Sequence, residues 1–410
     1  MSDAVSTTVG SAPTGNRAEP GLARRPGRLR PRPGRVAVAG GCLLLLALPF
    51  YLSAFWLQTG LFAMAAVIAA VGLNLLAGTA GQLSLGHAFF LAVGAYGYTW
   101  LAGEPTGTGE HTLSGLSLPP FLGFLAAVAL AGAAGAVFSP ISGRLRSMYL
   151  GVATLALVFI GQHVLLNATP VTGGFNGRSV PPMEVFGLSF SDAGDGLAVL
   201  GVPFGGLERL WYFGLVLVAA ACLAARNLLR GRPGRALGAL RDSEVAAAVM
   251  GVAPARFRAA AFTVSSMYAG AGGALLALAY QRIVPDTFGL SFSMDLLAMI
   301  VIGGLGSVAG AAAGAVFVTV LPQLLGHYAD QLPLVVAPGS AEPGLGSVEA
   351  ARYLYGAVLV LTLLFAPGGL ASLAGRRLPR PWARRAQRSA ALPATSAGDI
   401  ADGDTLKERT

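Results

Sequence analysis

The chain has 410 residues, of which 54% are hydrophobic and only 11% charged, with a mean hydropathy of +0.65. Soluble domains carry about 25% charged residues, so this chain cannot clothe itself in a polar surface, and a soluble globular fold is excluded. The net charge of +9 is carried almost wholly by arginine, Lys407 being the sole lysine; the arginines cluster in tails and loops beside apolar runs, as the positive-inside rule expects, and no basic, aromatic-bearing soluble domain is present for nucleic acid.

The reading is therefore an all-α polytopic membrane protein, taken here in chain order. Residues 1–35 hold seven Arg among Pro and Gly with no apolar period, the composition of a disordered tail. The next apolar run, 36–56, exceeds a signal-peptide core and is followed by more spans, so it reads as a first membrane helix. At about 20 residues per crossing, further spans fall near 61–78, 86–102, 120–138, 148–167, 209–227, 259–279, 292–307, 308–326 and 352–371, about ten in all. In the last close pair only GGLGSVAG separates the halves. Residues 36–372 thus form one transmembrane domain, and 373–410 a second disordered tail.

With ten spans, every Arg-rich segment falls on one side: the N-terminal tail, Arg144 and Arg146, the segment 226–258, and the C-terminal tail. That side is expected to be the cytosol, with both termini on it. The loop 168–208, containing TGGFNG at 172–177, then lies outside.

Several chemistries are missing. A P-loop needs a lysine after phosphate-cradling glycines, and Lys407 lies in no such loop; ATP-driven work must come from a partner. LLAMIVIGG followed by GLGSVA imitates a dinucleotide fingerprint, but the helix after it has no polar face for a soluble βαβ unit. Gly306, Gly310 and Gly314 read better as a four-residue ridge for close helix packing. His87, His111, His163 and His327 show no zinc spacing, so neither metal nor cofactor is expected, nor an enzyme.

Two polar islands remain. The cytosolic stretch GRALGALRDSEVAAAVMGVAPARFR, 234–258, holds a short apolar helix: Asp242 or Ser243 can cap it, Glu244 suits its first turn, Gly251 ends it and Pro254 forbids its continuation. An interfacial helix on lipid headgroups and a peg for a partner's groove both remain open. The second island is GQLSLGHAFF, 81–90, an amide, a hydroxyl and an imidazole between greasy runs. Polar groups at membrane depth face a cavity or each other, and glycines at 81 and 86 permit a break in the helix between 79 and 87. A broken helix exposes an N-terminus that favours a carboxylate and carbonyls that favour an ammonium. Gln82, Ser84 and His87, with Asn74 one or two turns away, either line the path of a zwitterion or glue helices together. Asp295 reads as a first-turn residue of its helix, explained by the dipole.

These motifs carry a resemblance. RALGALRDSEVAAAVMGV resembles the cytosolic coupling loop of ABC importer permeases. GLNLLAGTAGQLSLGHAFFLAVGAY at 72–96, YLGVATLAL at 149–157, TGGFNG, LLAMIVIGGLGSVAGAAAG at 296–314 and LFAPGGL at 364–370 are similar, in order, to the branched-chain amino-acid permeases of the LivM type. The resemblance implies half of a translocation pathway, completed by a LivH-like second permease, driven by two cytosolic ATPases and fed by an extracellular or periplasmic binding protein, in a bacterial plasma membrane. It implies that Arg241, Glu244, Ala247 and Gly251 belong to the coupling element, and that leucine, isoleucine and valine are the cargo. Urea or short amides are the alternative within the family; a secondary transporter or channel is the alternative outside it.

Overall fold

The structure, a computed structural model, describes residues 40–365 except 42, 107–111, 146, 186–187, 191–197, 200–201, 204, 332–334 and 337–344, together with 369–370. The two expected tails and His111 lie outside the described residues. Contacts divide the chain into two units, Met1–Leu48 and Pro49–Thr410. In the first, residues 43–47 are helical.

The second unit is built from helices. They are α1 (Ala54–Asn74), α2 (His87–Ala102), α3 (Pro120–Arg144), α4 (Ser147–Asn167), α5 (Gly206–Arg230), α6 (Arg232–Asp242), α7 (Glu244–Val249), α8 (Pro254–Tyr280), α9 (Leu290–Gly303), α10 (Val308–His327) and α11 (Ser347–Phe365). A π turn at Leu75–Thr79 prolongs α1. Strands are confined to two-residue pairs in the loops, such as Arg178–Ser179 antiparallel to Arg282–Ile283.

Among the described residues seven helices are long and apolar enough to cross a membrane: α1 with its π turn, α3, α4, α5, α8, α10 and α11. Three of the about ten spans expected from the sequence are not among these seven. The stretch expected to be helical over 36–56 breaks at Tyr51–Ser53, and the next helix begins at Ala54 rather than near 61. The other two, α2 with 16 residues and α9 with 14, reach only about 24 and 21 Å at ~1.5 Å per residue. α2 begins after the non-helical Gly81–Gly86, and α9 ends at the glycine-rich turn 304–306. The α9 helix also disposes of the dinucleotide-fingerprint imitation, which would require a strand there.

At the centre α8 packs on α1, α2 and α3. Its small-residue run 269–274 makes this possible: a Cβ on Gly273 would sit 2.0 Å from the Leu91 carbonyl oxygen, and one on Gly94 2.2 Å from that of Gly270. The α9–α10 hairpin closes in the same way. A Cβ on Gly314 would meet the Met299 carbonyl oxygen at 2.0 Å, and one on Gly303 the Gly310 oxygen at 2.1 Å. The expected ridge therefore consists of Gly310 and Gly314 with Gly303. Gly306 is not on it: it occupies the α9–α10 turn with φ 84°.

Asp295 is the sixth residue of α9, beyond the first turn, so the helix dipole is not its reason for being there. It accepts a 2.5 Å hydrogen bond from Tyr355 Oη on α11, which ties those two helices together.

Candidate functional site

The break between α1 and α2 is where polar chemistry concentrates. After the π turn the chain runs non-helically through Gly81–Gly86 and resumes as a helix at His87. Each backbone amide freed there needs an acceptor, because no water is at hand in hydrocarbon. Leu85 N donates to Thr154 Oγ1 at 3.0 Å, Gly86 N to Ser84 Oγ at 3.3 Å and Ala88 N to Ser293 Oγ at 3.1 Å. Side chains of α4 and α9 thus occupy the start of α2. This revises the expectation of an open helix N-terminus awaiting a carboxylate.

His87 is buried between two hydroxyls. Ser265 Oγ donates to the Gly72 carbonyl at 2.6 Å, so it accepts from His87 Nε2 at 2.8 Å; Nδ1 is then left as acceptor toward Ser84 Oγ at 3.4 Å. One proton on Nε2 satisfies the whole chain of contacts. Ser84 and His87 accordingly join α1, α2 and α8, the glue reading of the two open in the sequence. Gln82 differs. Its Nε2 donates to the Ser142 carbonyl at 3.1 Å near the end of α3, but Oε1 is buried without a partner among the described residues. A buried acceptor left unmade costs about 1–3 kcal/mol, so Gln82 alone of the trio holds unused capacity.

Asn74 is bonded away from that trio. Its Nδ2 donates to Ser307 O at 3.1 Å and its Oδ1 accepts from Gly306 N at 2.8 Å, clamping the α9–α10 turn to α1. The turn can approach because Gly78 has no side chain: a Cβ there would lie 2.4 Å from Gly306 N. Arg241, at the end of α6, donates from Nη1 to the Gly78 carbonyl. A cation against the carbonyls of a helix end is favourable by charge as well as by hydrogen bonding.

The neighbouring arginine-rich segment folds as two helices, not one. α6 was not foreseen, although Pro233 in its first turn and the Leu237/Leu240 pair signal it; both leucines are buried. Ser243 then caps α7, its Oγ accepting from Ala246 N at 3.3 Å. The helix stops in a Schellman motif, with Gly251 N donating to Ala248 O and Val252 N to Ala247 O, both at 3.0 Å. That ending needs a left-handed residue, and Gly251 supplies it with φ 85°.

The orientation of α7 shows how the residues expected in the coupling element are placed. Ala247 is 1% exposed and faces the body of the protein. Glu244 is engaged at home, in a two-pronged ion pair with Arg258 at 3.0 and 2.9 Å. Arg241 points back to α1. The outward face is instead Val245, Val249 and Met250, which are 75, 84 and 82% exposed. The sequence reading singled out none of these three. Their spacing, at i, i+4 and i+5 in a segment flanked by arginines, was the available signal.

An apolar bundle with a broken helix, a clamped hairpin and a protruding greasy helix at an arginine-rich end defines a class: a multi-pass membrane permease. The profile of the "branched-chain amino acid transport system / permease component" family matches residues 55–363. The chain is 31% identical over 342 residues to the high-affinity branched-chain amino acid transport system permease protein LivM of Salmonella typhimurium, covering 80% of this chain and 72% of that one. It matches the LivM of Escherichia coli K12 equally, at 31% over 338 residues. It is 26% identical over 243 residues to the ribose import permease protein RbsC of E. coli K12, covering 58% of this chain and 65% of the relative. No solved structure matches the chain. The chain belongs to the branched-chain amino acid transport system permease family.

Proposed function

We propose that this permease carries leucine, isoleucine and valine as one of two membrane subunits of an ABC importer, the other being LivH-like, with two cytosolic ATPases and an extracellular or periplasmic binding protein. The positive-inside rule puts both termini and the arginine-rich segment 226–258 on the cytosolic side of a bacterial plasma membrane. The observation that carries the reading is the outward face of α7. Three large apolar side chains stand exposed beside arginines, uncovered by any of the described residues; such a face marks a partner, and a short helix entering a groove is an economical way to meet one. The ATPases grip Val245, Val249 and Met250, while Arg241 relays their movement to α1 through Gly78. Asn74 passes it on to the α9–α10 turn. Glu244, Ala247 and Gly251 hold α7 in shape. Gln82, with its unmet acceptor, faces the translocation path in the transport cycle.

The test is reconstitution in proteoliposomes with the partner subunits. ATP-dependent uptake of radiolabelled leucine is expected, competed by isoleucine and valine and not by ribose or urea. Uptake by this chain alone under an ion gradient would sink the reading in favour of a secondary transporter. ATP-dependent uptake competed only by ribose or urea would replace the cargo and leave the class intact.

A further inference from the structure

At the end of the bundle opposite α6–α7 lies a cavity of about 1000 Å³, walled by the end of α2, the start of α3 and residues 178–185. TGGFNG leads into one wall. Gly177 (φ 67°) turns the chain into the short strand pair, and a Cβ there would strike the Ile283 carbonyl at 2.2 Å. The next residue, Arg178, lines the cavity yet is only 3% exposed. Its Nη1 donates to Ser114 O at 2.6 Å and Val171 O at 3.0 Å. Nη2 lies over Gly103, filling the place of an absent Cβ, 2.6 Å from it.

A guanidinium has five N–H donors. Among the described residues only Nη1 of Arg178 has partners, and no carboxylate lies within ion-pair distance. Burial pulls its pKa down from the ordinary arginine value. Buried charges are as a rule paired, so the site lacks an anion. Glu104 and Glu184, both exposed, line the same cavity without pairing with it. Leu118, Phe121 and Val185 supply apolar wall. One buried cation, two carboxylates and aliphatic surface in one cavity match a particular ligand.

We propose that this cavity is a binding site for a zwitterionic aliphatic α-amino acid, its carboxylate on the free N–H groups of Arg178, its ammonium toward Glu104 and Glu184, and its side chain against the apolar wall. The proposal rests on the amino-acid reading above. It gives the permease its own affinity for cargo, at the end where the binding protein would release it. A rim arginine for docking a protein would be exposed; this one is reached only by something small.

The experiment uses the assembled permease–ATPase complex in nanodiscs with the binding protein omitted and tritiated leucine as probe. Saturable binding is expected, competed by 4-methylpentanoate, which keeps the carboxylate, and not by leucinamide, which lacks it. Arg178→Gln is expected to weaken binding about 10- to 100-fold, the range for losing charge-assisted hydrogen bonds, and Arg178→Lys less. Arg178 also joins the loops of Ser114 and Val171, so Arg178→Gln can fail to assemble. Glu104→Gln/Glu184→Gln is then read: it should weaken leucine binding and leave 4-methylpentanoate unchanged. No saturable binding by the wild-type complex, competition by leucinamide equal to that by 4-methylpentanoate, or unchanged affinity in the variants overturns the site. Unchanged leucine affinity in Arg178→Gln with weaker capture of the binding protein would make Arg178 a docking residue and equally overturn it. If the amino-acid reading itself is wrong, the complete wild-type importer takes up no leucine. If only this site is wrong, uptake is normal and direct binding absent.

Discussion

The segment around Gln82, Ser84 and His87 and the helix α7 are opposites. In the first, polar residues lie in an apolar interior; in the second, apolar residues stand at a polar end. Both look misplaced by composition, but the fold answers the first, save for Gln82 Oε1, and leaves the second open. Ser84 and His87 find partners on α8 and in their own loop, whereas Val245, Val249 and Met250 keep most of their surface. In a membrane protein a polar residue in a greasy run is therefore weak evidence of a substrate path until its partners are counted. An apolar residue left in water is the stronger sign of function, because no packing inside the chain has answered it.

The largest expected effect removes the scaffold on which that contrast stands. Gly273→Val would force a side chain into the Leu91 carbonyl at the α2–α8 contact. Backbone cannot yield there as a flexible side chain would, so destabilisation of about 3 kcal/mol is expected, seen as loss of monodisperse protein after detergent extraction. Next comes the open face. Val249→Arg should leave extraction and melting unchanged, because Val249 is 84% exposed. It should cost about 2 kcal/mol of ATPase binding, the size of an interface anchor, measured by co-purification. Normal ATPase capture by a folded Val249→Arg permease would erase the distinction between the two regions.

Much of this was legible in the sequence. Hydropathy located every long helix, because about 20 apolar residues are what a crossing demands. Gly251 as the stop of α7 was legible too, since a helix followed by Gly and then Pro has few other endings. Less legible were facts that depend on rotation or depth. Sequence cannot tell that Ala247 faces inward and Val249 outward on a six-residue helix, which is too short to show a periodic face. Nor could it tell that Asn74 would reach residues 306–307, more than 230 positions away, or that α2 and α9 would be as short as 16 and 14 residues. Arg178 was invisible for another reason: an arginine in a loop looks ordinary until its burial is known.

Between scaffold and open face lies Arg241, and its removal sharpens the comparison. Arg241→Ala takes away the hydrogen bond to the Gly78 carbonyl without touching the α7 surface. ATPases are expected to co-purify and hydrolyse ATP at wild-type rates while uptake per ATP falls about 10-fold, the equivalent of ~1.4 kcal/mol of coupling; Arg241→Lys should restore part of it. Equal losses of hydrolysis and uptake would mean that Arg241 merely supports the docking face.

The smallest effect is expected at Glu244. Its pair with Arg258 is two-pronged, but the carboxylate side is 51% exposed, and exposed pairs contribute about 0.2–1 kcal/mol at most. Glu244→Gln keeps the size and a hydrogen-bond acceptor, so α7 should remain capped by Ser243 and its apolar face should stay in place. Uptake is expected within about twofold of wild type, and a modest loss in melting temperature should shrink further as salt screens the pair. Glu244→Lys sets like charge against Arg258 and should be worse than Gln, yet still milder than Val249→Arg, because it perturbs the seat of α7 rather than the surface it offers. Were Glu244→Gln to cost as much ATPase capture as Val249→Arg, the carboxylate would belong to the partner's binding surface, and α7 would dock by its charged edge instead of by its greasy face.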